Sequence, residues 1–212
     1  AQDQHGREGD RASGVEAPRV TVACAGRSGS RFLVRILRGA GLNVGHEAWH
    51  TVHGVTGQAG GLDVDVSWMA THREPAGHVF YQHREPQAVI SSYAHVPANG
   101  GYEQEQLRHI RWSDNPLQRA VRWWVSCSRR ARDRGWGTWK VEKLSPVQVQ
   151  AVAGAAGVGV SVPHAERAIT GVSERTNRHN RAGLVPWPEI LEQADDAAEL
   201  EWLVSLAGYQ GP

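Results

Sequence analysis

Apolar positions along the chain fall into short continuous runs, separated by stretches where they return at helical spacing. The first run, Arg19–Ala25, is rich in Val, Thr and Ala and fits a buried parallel strand. Gly26–Ser30 breaks the pattern with two glycines. Between Arg31 and Ala40 the apolar residues Phe32, Leu33, Ile36, Leu37 and Ala40 recur as on one helix face, and Gly41 closes that helix. Leu42–Val44 predicts a second short strand, and Gly45–Gly61, rich in Gly and His, a loop with room for a helical turn. Asp63–Met69 fits a helix and an extended piece equally. His78–His83 reads as another buried strand, and Pro86 opens a helix continued by Ala88, Val89, Ile90 and Tyr93. Pro97–Gly101 reads as loop. A longer helix is predicted from Pro116 to about Arg134, with Leu117, Ala120, Val121, Trp124, Val125 and Ser128 on one face. Trp136–Val141 follows as a strand. Pro146–Ala156, His164–Ile169 and Pro188–Leu206 read as helices, with a polar loop over Thr170–Pro186.

Strands alternating with helices in this order predict an α/β fold: a mostly parallel central sheet flanked by helices on both faces. The polar, Gly-rich residues 1–17 read as a flexible tail and 18–212 as one domain, with no internal repeat. Ligands in such folds bind at the carboxyl ends of the strands. Those ends are Gly26–Ser30 and His83–Pro86.

Composition narrows the classes. Of 212 residues 40% are hydrophobic and 21% charged, which suits a globular domain, and the net charge of +1 lacks the basic excess of a nucleic-acid binder. The cations are nearly all Arg, a residue suited to bidentate phosphate contacts; Lys occurs only at 140 and 143. Cys24 and Cys127 form no metal or redox motif. No apolar stretch approaches the roughly 18 residues that span a bilayer, so no stable membrane insertion is expected. With no apolar signal segment, the chain reads as cytoplasmic.

The loop Gly26-Arg27-Ser28-Gly29-Ser30 carries the first candidate chemistry. A Gly-rich turn entering a helix points several backbone N–H groups at one place, which suits phosphate or sulfate. Gly29 permits close approach, Ser30 adds a hydroxyl and Arg27 a fixed charge. The same residues also fit a plain strand–helix turn. They match neither G-x-x-x-x-G-K-[ST] nor G-x-G-x-x-G, which weighs against triphosphatase or kinase chemistry. In the second element, Arg84-Glu85-Pro86, Arg84 ends a predicted strand. Ser92 follows about two turns into the helix, so both can converge on one phosphate.

With both motifs in order, the chain resembles the P-loop-like sulfotransferases, bacterial-type, that use 3′-phosphoadenosine 5′-phosphosulfate (PAPS). The resemblance runs from about Val20 to Ile190. It rests on Arg27-Ser28-Gly29-Ser30 with Arg31-Phe32-Leu33, and on Arg84-Glu85-Pro86 with Ser92. Trp139-Lys140-Val141-Glu142-Lys143-Leu144 and the segment Thr176–Arg181 followed by Trp187 add to it. The resemblance implies transfer of a sulfuryl group from PAPS, leaving adenosine 3′,5′-bisphosphate (PAP), with no metal. It implies that Arg27, Ser28, Gly29, Ser30, Arg31 and Phe32 hold the 5′-phosphosulfate. Arg84 and Ser92 would hold the 3′-phosphate, with Arg178 and then Arg181 from the polar loop folding over the nucleotide. Many members carry Lys at position 27. Arg there can stabilise the leaving oxygen but is a poor proton donor.

Glu47, after the second predicted strand, is the first candidate for the base, with His46 and His50 as alternatives. His46, His50 and His53 have the spacing of a helical metal pair, but no further ligand type accompanies them and no metal is expected. Trp49 and Trp68 are the candidate acceptor contacts, while Trp112, Trp123, Trp124, Trp136 and Trp139 suit the core. The run Arg129–Arg134 reads as a solvated helix end. The resemblance implies an acceptor hydroxyl or amine on a small molecule or carbohydrate, and the sequence does not reveal which: carbohydrate, lipid-linked sugar, phenol and peptide stay open. The competing readings are a small-molecule P-loop kinase using ATP and Mg²⁺, and a non-catalytic nucleotide-binding module of the same fold.

Overall fold

The computed structural model describes residues 16–51, 54–55, 61–96, 108–172 and 183–210. Five strands, β1 (Val20–Cys24), β2 (Val44–His46), β5 (Val64–Ser67), β6 (His78–His83) and β7 (Gly137–Lys140), form one sheet in the order β2-β5-β1-β6-β7, every pairing parallel. All five residues of β1 are buried, as expected for a central strand covered on both faces. On one face Val20, Val22, Val64 and Val66 pack against α1 (Ser30–Gly39), α4 (Pro146–Ala155) and α5 (Val162–Thr170). On the other, Ala23, Tyr81 and Trp68 lie under α2 (Pro86–Ala94), α3 (Pro116–Asp133), α6 (Trp187–Glu192) and α7 (Ala197–Leu206), with Trp123 and Trp124 fully enclosed.

Register decides what meets at the carboxyl edge. Ala23 pairs with Ser67, Cys24 with Gln82, His83 with Lys140 and His46 with Val66. The loops after β1, β2, β5 and β6 therefore emerge side by side.

The structure moves four predicted boundaries. The second strand starts at Val44 rather than Leu42, because Gly41 (φ 90°) and Leu42 still close α1 through N–H bonds to Arg38 O and Leu37 O. In place of the helical turn, the described residues of Gly45–Gly61 contain a small antiparallel ribbon, β3 (His50–Thr51) with β4 (Gly54–Val55). Asp63–Met69 resolves as extended: β5 is an inner strand between β1 and β2, followed by a 3₁₀ turn at Met69–Thr71. Pro188–Leu206 is two helices. Asp196 caps α7 at the break, and Asp195 beside it makes a two-pronged pair with the buried Arg122 of α3 (2.7 and 2.8 Å). The predicted face of α3 omits Trp123 and Cys127, which are buried, while Val125 is only half-buried. The arginines ending α3 have partners: Arg129 pairs with Glu199, Arg134 with Glu74, and Arg132 lies over Trp202.

Residues 1–15 of the predicted tail, Pro97–Gly101 and most of the Thr170–Pro186 loop lie outside the described residues. Among the described residues no helix is long and apolar enough to cross a membrane, and no three His, Cys, Asp or Glu gather as a metal site.

Candidate functional site

Beyond β1 the backbone makes a tight cradle. Ser28 turns its hydroxyl inward to Ala25 O, and Arg27 (φ 65°) and Gly29 (φ 84°) are both left-handed. Gly26 has no room for a side chain: a Cβ there would overlap the Tyr93 hydroxyl and lie 3.4 Å from Trp68. α1 then starts with no side-chain cap at Gly29, so its first N–H groups are left for partners other than a capping side chain. Three bonds brace the cradle. Buried Gln82 donates to Ser28 O (2.6 Å), Arg84 donates to Arg27 O (2.9 Å), and Arg27 Nε donates to Ser92 Oγ (2.9 Å). Backbone N–H groups, a helix N-terminus and two guanidinium groups give this loop the chemistry that suits an anion.

The facing wall comes from the end of β2. Ser30 Oγ lies 2.9 Å from His46 Nε2, which lies 3.7 Å from Glu47 Oε1. Glu47 is held by its N–H to Val66 O (3.1 Å) at φ 55°. Among the described residues Arg27 and Glu47 are the two non-glycines in left-handed backbone. Burial raises the Glu47 carboxyl above its ordinary range; Arg31 opposes this, Asp65 adds to it, and the nearby Trp68 indole opposes it. Burial, helped by Arg31 and Arg38, lowers His46, with Asp65 opposing. Glu47 is thus a stronger base than a solvated glutamate, and His46 favours its neutral form. A cleft of about 340 Å³ joins the two walls, lined by Gly26, Arg27, Gly29, Ser30, Arg31, His46, Glu47, Trp68, Arg84 and Ser92.

A second cavity, about 370 Å³, lies beside the start of α1 and is lined by Phe32, Val141, Glu142, Leu144, Ile169, Thr170 and Val172. Glu142 accepts from the N–H of Glu85 (2.8 Å) and the hydroxyl of Tyr209 (2.7 Å), tying the rim of β7 to the start of α2.

The architecture has counterparts among solved structures. The sulfotransferase domain from the Synechococcus PCC 7002 olefin synthase aligns at a TM-score of 0.54 and 16% identity, over 93% of this chain and 97% of that one. The chain has a sulfotransferase-type fold. The sulfotransferase domain from the curacin biosynthetic pathway aligns at a TM-score of 0.50 and 14% identity, over 93% of this chain and 100% of that one. No family model matches the chain, and no curated protein matches it.

On this sulfotransferase-type fold, most of the candidate residues meet in one cleft, with exceptions. The Ser28 hydroxyl faces inward, so only its backbone serves the cradle. Phe32 lines the second cavity. His50 is fully buried against Asp65 and away from the cleft, which removes it as a candidate base. Trp68 is almost fully buried, an edge of the core exposed to the cleft, and Trp49 is half-buried and outside it. Arg178, Arg181 and His53 lie outside the described residues. Sequence reasoning missed Gln82 and Asp65, and it placed Gly26 in the loop without foreseeing its tight fit against Tyr93. The signal for Gln82 was a lone amide in an otherwise buried strand, since such a group needs a hydrogen-bond partner.

Proposed function

We propose that the chain transfers a sulfuryl group from PAPS to a hydroxyl or amine of a small-molecule or carbohydrate acceptor. The observation that carries this reading is one cleft with an anion cradle on one wall and a carboxylate of raised pKa on the other. The 5′-phosphosulfate would sit on the Gly29–Arg31 N–H groups with Arg27. Arg84 and Ser92 would take the 3′-phosphate, and the cavity beside Phe32, Leu144 and Ile169 the purine. The acceptor heteroatom attacks sulfur while the bond from sulfur to the 5′-phosphate oxygen breaks. Its proton passes to Glu47, and PAP leaves with the charge that Arg27 and the N–H groups stabilise. Arg27 acts by charge, because a guanidinium holds its protons too firmly to donate one.

Thermal shift with PAP, ATP–Mg²⁺ and buffer, followed by mass-spectrometric detection of sulfuryl transfer from PAPS to candidate acceptors, tests the reading. PAP at 100 times its Kd is expected to stabilise by about 2.7 kcal/mol. A folded sample that ignores PAP and responds to ATP–Mg²⁺ favours a kinase instead. Binding of PAP without transfer to any acceptor favours a non-catalytic module.

A further inference from the structure

The Asp65 side chain is fully buried on the inner strand β5, and among the described residues its hydrogen bonds go to Ala48 and His50, just after Glu47. Oδ1 accepts the Ala48 N–H (3.0 Å); Oδ2 accepts the His50 N–H (3.2 Å) and lies 3.1 Å from His50 Nδ1. Ser67, on the same face of β5, donates to His50 O (3.2 Å) and accepts the Met69 N–H (3.2 Å). His50 is itself fully buried, and its Nε2 finds no hydrogen-bond partner among the described residues. Gly45 leaves no slack, since a Cβ there would lie 2.7 Å from Leu62, 2.8 Å from Ala48 and 3.0 Å from Asp65 Oδ1. Burying a carboxylate is costly unless its partners satisfy it, and an apolar residue would fill an inner strand at lower cost. What Asp65 adds is a defined path for residues 47–50.

We propose that Asp65 is a positioning residue: through the N–H groups of Ala48 and His50 it fixes the loop that presents Glu47 to the cleft. Its effect on the loop follows from geometry alone; its effect on turnover rests on the sulfotransferase reading. The described charged and titratable groups around Glu47 are Arg31 of α1, His46 of β2, Asp65 of β5 and the Cys24 thiol of β1. Asp65 pushes the Glu47 carboxyl up, so losing its charge lowers the pH at which Glu47 becomes a base.

Asp65→Asn is the test, since one acceptor oxygen becomes an NH₂ group facing N–H donors. Amide exchange is expected to speed up across residues 47–50 while residues 29–33 keep their protection. Turnover should fall about 10-fold to 100-fold with KM for PAPS nearly unchanged, as for a misplaced group. The acidic limb of the kcat–pH profile should move to lower pH, because the lost Asp65 charge and the better hydration of a freer loop both lower the Glu47 pKa; the kcat loss at unchanged KM for PAPS is what general loosening of the fold would not produce. Parental exchange and a parental pH profile in the variant overturn the proposal. If Asp65→Asn fails to fold, Gly45→Ala decides, because its methyl crowds Ala48 and Asp65; unchanged loop exchange there is equally fatal. A parental chain that transfers no sulfuryl group, with a loop that still loosens on substitution, overturns the sulfotransferase reading and keeps the positioning role. Normal transfer with an undisturbed loop does the reverse.

Discussion

The two walls of the cleft are built on different plans. The cradle wall is mostly main chain: N–H groups of a loop and a helix start, braced by Gln82, Arg84 and Ser92 at 2.6–2.9 Å. The opposite wall is a side-chain carboxylate on a short loop, held from below by a buried Asp and Ser. A wall of backbone donors resists side-chain replacement and fails when its path is blocked. A wall that hangs one functional group from a buried polar anchor fails when either the group or the anchor changes. Electrostatics divide the same way, with fixed positive charge on one side and a carboxyl of raised pKa on the other.

The sharpest way to break the comparison is at the carboxylate. Glu47→Gln is expected to lower kcat by about 10²–10⁴-fold, the usual contribution of a general base, while PAP binding stays near parental. In the parental protein, activity should rise with pH through the Glu47 titration, because only the ionised form accepts a proton. Burial raises that pKa, so the acidic limb should lie above the ordinary glutamate range. Steady-state rates across pH check both points. Next in size is Arg27→Ala, expected to cost about 3–4 kcal/mol of transition-state stabilisation, with Arg27→Lys retaining much of it because the charge survives. Transfer rates under saturating PAPS measure this. The smallest effect tests the backbone path. Gly26→Ala should cost about 1–3 kcal/mol through overpacking against Tyr93, and Tyr93→Phe should restore part of it by removing the crowded hydroxyl. Thermal unfolding with and without PAP reads both variants.

How much of this was legible in the sequence differs between the walls. β1, β6, α2 and α3 are close to their predicted spans because apolar runs are bounded by Gly, Pro and Asn, which set caps and turns locally. The cradle was legible for the same reason: its chemistry is contiguous. The anchor was not. Leu62-Asp63-Val64-Asp65-Val66-Ser67 alternates apolar and polar, and alternation ordinarily places the polar set in solvent. β5 is an inner strand covered on both faces, so Asp65 and Ser67 are fully buried, and only the three-dimensional pairing reveals it. The break between α6 and α7 was hidden likewise, since it depends on Arg122 across the core from Asp195.

The left-handed backbone of Arg27 and Glu47 has a consequence for selection experiments. A non-glycine residue in that region costs roughly 1–2 kcal/mol, and glycine is the natural relief. Arg27→Gly and Glu47→Gly should therefore rank among the substitutions a screen for heat resistance enriches, while removing two of the charged side chains that line the cleft. A library sorted on thermal survival alone would drift toward robust proteins whose cleft lacks one charge on each wall. Sorting in the presence of PAP would protect Arg27 and leave Glu47 unguarded.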